Sequence, residues 1–291
     1  MERVSLGHME NNSSTKKSDL FGFGTVMYGF TDLLVWHSKD FLTLLGHMFK
    51  DYLFEQYKPA RTLVYVDTEL ENRIIPRSGA LNSYLSLIPF FIGSLGFLKQ
   101  QFGRKVRQDV HLYFRDLKNL FSDAGFVFEN APTRMKYRQS PSVGLKLLHF
   151  FDRPRNCFPS LHVILVAYSY LKTKELVSKY SADESAHAKA DIFLRQWSLS
   201  IIESCLLTKQ HGLRDIAGGL ATISAKCPEF GQEDIKEIIS LLFSEDSSSF
   251  SGDTVYLVKE EIKSVYAELI NSINIQKGDY RSALVNYIRS I

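Results

Sequence analysis

Arg153-Pro154-Arg155-Asn156-Cys157-Phe158-Pro159-Ser160-Leu161-His162 is a polar, proline-punctuated run that gives way to Val163–Leu171, which is almost wholly apolar. Pro159 and Ser160 therefore stand at a loop-to-helix junction, where a serine hydroxyl caps exposed backbone N–H groups. A helix start gathers unpaired N–H groups at the positive end of its dipole, and so forms an anion site. His162 lies just inside it. A second run, Thr208-Lys209-Gln210-His211-Gly212-Leu213-Arg214-Asp215, holds another histidine with a carboxylate four residues on. At helical spacing His211 and Asp215 share a face, and the carboxylate fixes the imidazole tautomer and raises its basicity. Two histidines, one carboxylate and a helix N-terminus suit phosphoryl chemistry.

Helical periodicity surrounds both runs and makes the chain all-α. Ile192–Leu207 reads as a helix running straight into Thr208. In the tail, Val255, Val258, Ile262, Val265 and Leu269 recur in steps of three and four, so Thr254–Ile273 is amphipathic. Glu233–Phe243 and Tyr280–Ile288 flank it as shorter helices. Upstream, Asp32–Tyr57 holds one or two helices and Arg104–Phe121 another. Gly125–Ser142 reads as irregular, broken by Pro132 and Pro141, and Tyr180–Ala190 as an exposed helix extension or hairpin. Phe21–Phe30 is rich in glycine and aromatics, and within it Gly22-Phe23-Gly24 reads as a flexible turn rather than a phosphate loop. Thr62–Val66 has the composition of a strand, but its surroundings offer no partner strand. Residues 1–19 read as a disordered lead, 20–228 as a helical catalytic domain, and 229–291 as a helical extension packed on the same domain.

Composition narrows the function. The 291 residues are 45% hydrophobic and 23% charged, ordinary for a globular protein. A net charge of +3, with no basic run interleaved with aromatics, points away from nucleic acid. Cys157, Cys205 and Cys227 are odd in number and lack metal-ligand spacing, which fits a reducing cytosol. Residues 1–19 contain no apolar core of a signal peptide. Leu81–Leu98, between Arg77 and Lys99, is the best candidate for a membrane span, yet it contains Asn82, three serines and Pro89 and is marginal in length. With a mean hydropathy of −0.11, the chain reads as cytoplasmic, with peripheral membrane contact as the form of any membrane association.

At the two histidine runs the sequence resembles the type 2 phosphatidic acid phosphatase superfamily, and more closely its branch of inositol phosphorylceramide synthases and related lipid phosphotransferases. The resemblance rests on Asn156–His162 and Thr208–Asp215 and covers about residues 130–222. It implies a helical bundle of the phosphatidic acid phosphatase/haloperoxidase type, here with extra C-terminal helices. It implies that His211 attacks phosphorus and becomes phosphohistidine, that Asp215 orients His211, and that His162 protonates the departing oxygen. Ser160 and the helix-start N–H groups would hold phosphate oxygens. Neither metal nor cofactor is implied, because fixed cations and dipoles can neutralise the phosphoryl charge.

Two departures affect the phosphate set. Leu161 replaces the glycine of the wider superfamily, as in the lipid-transferase branch. Of the family's Ser-Arg pair before the second histidine, Ser204 keeps the serine, while Cys205 takes the arginine's place. Lys209 is the candidate to supply that charge. Arg138, with Arg134 behind it, is the candidate phosphate-binding arginine. Lys146 with Arg153-Pro154 matches the spacing of the family's first motif, but Pro154 lies too close to Pro159 to occupy a separate helix. The expected substrate is a phosphate ester or diphosphate, lipid or isoprenoid in class, with water or an alcohol as acceptor. The alternatives are a non-catalytic relative that binds an anionic lipid or a partner protein, and a vanadate-dependent haloperoxidase. His37, His47, His111, His149 and His187 belong to no constellation and read as structural or exposed.

Overall fold

The structure is a computed structural model that describes residues 22–48, 50, 62–136, 142–152, 155–181, 184–244, 252–276 and 279–291. The expected 1–19 lead and Arg138 lie outside the described residues. Helix α7 (Leu161–Tyr180) runs through the middle of the fold, with buried residues all round its first three turns. A helix that is apolar on every side needs neighbours on every side, and α7 packs against four. These are α4 (Leu87–Phe102), α5 (Arg107–Asn130), α8 (Glu184–Leu207) and α9 (Leu213–Lys226). Ahead of them come α1 (Phe23–Trp36), α2 (Ser38–Met48) and α3 (Ala80–Leu85). Helix α6 (Val143–Phe151) lies between α5 and α7 in the chain; α10 (Gln232–Leu241), α11 (Gly252–Ile275) and α12 (Tyr280–Ser290) close it. Among the described residues the fold is all-α apart from one pair of two-residue strands.

Several boundaries differ from the sequence reading, each for a physical reason. Gly22-Phe23-Gly24 is not a turn: Gly22 is the N-cap of α1, which begins at Phe23. Gly29 instead permits a close crossing with α4, since a Cβ there would lie 2.3 Å from the Ile92 carbonyl oxygen and 3.0 Å from the Gly96 Cα. The span Leu81–Leu98 is broken at Ser86 into α3 and α4, and among the described residues no helix is long and apolar enough to cross a membrane. The basic helix runs on to Asn130, shortening the irregular stretch, and α6 follows it with Ser142 as N-cap.

Thr62–Val66 does find a partner. β1 (Val64–Tyr65) pairs in parallel with β2 (Thr133–Arg134), Val64 against Thr133 and Tyr65 against Arg134. Such short strands leave no alternation to read; their role is to position loops. Arg134 also bridges to Arg155, and the Asn156 N–H donates to the Thr133 carbonyl at 2.9 Å.

The C-terminal helices close over the bundle. α11 packs along α9, and α12 against α11 and α5. The Tyr280 hydroxyl donates to Asp123 of α5, while Lys226 and Arg281 stand 3.2 and 3.7 Å from the same carboxylate. Tyr287 places its ring 5.8 Å from that of Phe158, so the extension reaches the back of the first histidine run.

Candidate active site

The first run is fixed from both sides. Asn156 adopts the left-handed conformation (φ 56°), which asparagine tolerates better than most residues, and turns the chain toward α7. The Phe158 N–H donates to the Thr133 hydroxyl at 3.0 Å. The Phe158 ring lies against Gly218 of α9, where a Cβ would fall 2.3 Å from it. Ser160 then caps α7 as expected, its hydroxyl accepting from the Val163 N–H at 3.3 Å. Its own N–H donates to the Asp215 carbonyl at 3.1 Å, which joins the two runs through the backbone. The first two N–H groups of α7, those of Leu161 and His162, have no acceptor within the helix.

The second run is arranged differently from the expectation. His211 and Asp215 do not share a helix face, because α8 ends at Leu207 and α9 begins at Leu213. Between them the chain turns sharply, with the N–H groups of Gln210 and His211 both donating to the Cys205 carbonyl. Asp215 lies in the first turn of α9 and reaches back, accepting from the Gly212 N–H at 2.8 Å. Its Oδ2 is 3.6 Å from His211 Nδ1. The pairing therefore comes from a helix cap rather than from helical periodicity.

The two histidines meet. His162 Nδ1 lies 3.1 Å from His211 Nε2, with the rings 5.1 Å apart. Two imidazole nitrogens this close share one hydrogen, so one donates and the other accepts. The Asp215 carboxylate favours the proton on His211 Nδ1, which leaves Nε2 as the acceptor, its one lone pair engaged by His162 Nδ1–H. His211 Nδ1 and Asp215 Oδ1 are both buried without a hydrogen-bond partner. Burial pushes the Asp215 carboxyl above its usual range, with the neighbouring His211 opposing the shift. Burial, reinforced by His211, lowers the His162 pKa to about 4, while the Asp152 carboxylate holds it up. His162 is therefore neutral at physiological pH.

Three contributors could not be seen in the sequence. Tyr84 of α3 stacks on His162 at 4.7 Å and donates its hydroxyl to Asp152 at 2.7 Å. Glu71, fully buried, accepts from the Leu213 N–H at 2.8 Å and from both the N–H and the hydroxyl of Thr68. His149 Nε2 contacts the Thr208 carbonyl oxygen at 2.7 Å. Each partner lies more than fifty residues away in sequence or outside any motif, and only Asp152, just before the Arg-Pro pair, stood near one.

The expected phosphate set divides. Ser160 sits at the start of α7, two residues before His162, with its N–H on the Asp215 carbonyl. Lys209, at φ 59°, turns its fully buried ammonium to the Glu71 carbonyl oxygen; burial lowers its pKa to about 8, against the pull of Glu71 and Asp67. It therefore braces the loop instead of replacing the missing arginine. The Ser204 hydroxyl donates to the Ile201 carbonyl at 2.6 Å. It borders a cavity of about 670 Å³ between α3 and α8, together with Arg77, Ser83 and Glu203; neither histidine is among that cavity's described walls. Cys205 is buried, and burial raises its thiol pKa. Arg134 is exposed on β2, and no contact ties it to the histidines. Among the described residues no three His, Cys, Asp or Glu side chains converge where a metal ion could bind.

Compared with known proteins, the chain matches no family model, no curated protein and no solved structure.

Proposed function

We propose that the protein is a phosphatase or phosphotransferase working through a phosphohistidine on His211. The observation that carries this reading is the contact of His162 Nδ1 with His211 Nε2 at 3.1 Å, with the Asp215 carboxylate behind His211 and the capped start of α7 beside it. Asp215 keeps the His211 proton on Nδ1, so the Nε2 lone pair, which faces His162 in this structure, is the nucleophile. A phosphate ester must displace the His162 ring from Nε2 before phosphorus can approach. Its oxygens then lie against the α7 N-terminus, whose unpaired N–H groups stabilise negative charge.

In the first half-reaction a P–N bond forms at His211 Nε2, the P–O ester bond breaks, and His162 gives a proton to the departing oxygen. The charge of the bound phosphate opposes the burial that keeps His162 neutral, and so favours the imidazolium this step requires. In the second half, His162 takes a proton from water or an alcohol, whose oxygen attacks phosphorus as the P–N bond breaks. The resemblance described above adds a lipid or isoprenoid phosphate as the substrate class.

A second reading, an anion-binding protein without turnover, draws on the closed contact between the histidines and on Lys209's engagement with Glu71. Hydrolysis of an aryl phosphate by wild type, His211→Ala and His162→Ala separates the two. The proposal predicts turnover in wild type and at least about a hundredfold loss in each variant. Equal rates in wild type and His211→Ala would overturn it.

A further inference from the structure

Helix α1 carries one charged residue, Asp32, which is bound to Lys99 of α4 at 3.2 Å. Its inner face, Thr25, Gly29 and Leu33, packs on α4. Outward, Phe23, Met27, Phe30 and Leu34 follow one another in steps of four, three and four and form a single stripe. Phe23 is 82% exposed and Leu34 52%, and Val35 beside them is 68% exposed. A helix facing water places charges on that side; an uncharged apolar face of this extent marks an interaction site. At 14 residues the helix is about 21 Å long, too short to cross a hydrocarbon layer of about 30 Å.

The C-terminal end of α1 borders a cavity of about 480 Å³. Its walls include Trp36, His37, Arg104, Lys105, Arg107 and His111, with Asp40 as the single carboxylate. His111 Nδ1 occupies that carboxylate at 2.8 Å. The three cations are exposed and form no ion pair with any described residue. The Arg107 guanidinium lies 4.7 Å over the Trp36 ring. His37 is 4% exposed, and its Nε2 has no hydrogen-bond partner. The apolar stripe runs along α1 and the cations gather at its C-terminal end beside Trp36, a combination that matches the boundary between acyl chains and anionic headgroups.

We propose that α1 and this cavity dock the protein on an anionic phospholipid surface. The stripe enters the boundary of the acyl layer, and the cavity takes a phosphate-bearing headgroup. This site lies far from the histidines. α7 starts at the histidine site and ends at Lys179 and Tyr180, which bond Asp109 in the first turn of α5, beside Arg104 and Arg107. A helix of 20 residues separates the two ends by about 30 Å. Docking is thus independent of the phosphoryl-transfer reading.

Co-sedimentation of the full chain with vesicles tests it. Wild type should sediment with phosphatidylserine-containing vesicles, less so at raised ionic strength, and not with pure phosphatidylcholine. Leu34→Asp/Val35→Asp and Arg104→Glu/Arg107→Glu should each weaken binding at least about tenfold with unchanged circular dichroism, while His211→Ala binds as wild type. Three results would overturn the proposal: no sedimentation of wild type, sedimentation of both double variants at the wild-type level, or a wild-type dimer that Leu34→Asp/Val35→Asp converts to monomer.

Discussion

Replacing Glu71 probes how the second histidine run is held. The carboxylate is fully buried and accepts three donors: the Leu213 N–H at the start of α9, and the N–H and hydroxyl of Thr68. Its backbone carbonyl accepts from the Lys209 ammonium. Glu71→Ala strands the three donors, and it removes a negative charge whose field favours the Lys209 ammonium, while leaving the backbone carbonyl that binds Lys209. Hydrogen bonds to a charged group contribute about 1.5–3 kcal/mol each. These costs overlap because the groups form one network, so the expected loss is about 3–5 kcal/mol. Glu71→Gln keeps the shape but turns an NH2 toward one donor, costing about 1–3 kcal/mol.

The pH dependence of this substitution has a definite sign. Burial raises the Glu71 pKa above 4.5, so the folded state binds that proton more tightly than the unfolded chain. The group therefore contributes most stability below the unfolded value and loses it as pH rises through the window above 4.5. The penalty of Glu71→Gln should accordingly be larger at acid pH than at neutral pH. Guanidinium unfolding followed by circular dichroism, at both pH values, measures each quantity. A loss under about 1 kcal/mol for Glu71→Ala, or a Gln penalty that grows toward neutral pH, would refute the reasoning.

Gly218→Ala should destabilise the protein by about 1–3 kcal/mol, because its Cβ would fall 2.3 Å from the Phe158 ring; thermal unfolding checks this, and an unchanged Tm would contradict the packing described. Asp152→Asn should lower the His162 pKa below about 4, since that carboxylate opposes the lowering by burial and His211; imidazole NMR titration reads the shift. His162 also makes stability fall as pH drops from 6.5 to about 4, the range in which the unfolded chain binds the proton and the folded one does not. His162→Gln should flatten that part of the stability–pH curve.

The histidine runs were legible because each is contiguous and sits where apolar periodicity starts or stops. Ser160 could be assigned as a cap from the residues around it alone. Asp215 was found for a partly wrong reason: the spacing is right, but the chain turns between His211 and Leu213, and a cap makes the contact. Lys209 was read as a phosphate cation because sequence does not show a left-handed residue turning its ammonium to Glu71, 138 residues away. Tyr84, Asp152 and Thr133 act through tertiary contacts that follow from the packing of α3 and β2, which no local pattern encodes. α1 was hidden by its glycines, one of which serves the crossing with α4. The long helices α5, α7 and α11 were legible because their apolar positions recur over many turns.

The central claim is that His211 carries the phosphoryl group. Wild type and His211→Ala should be mixed with a radiolabelled aryl phosphate, quenched in denaturant at alkaline pH, and mapped by peptide. The account predicts an acid-labile, alkali-stable label on the peptide containing His211 in wild type, and none in the variant. Turnover without a labelled His211 peptide, or an equal label in His211→Ala, would contradict it.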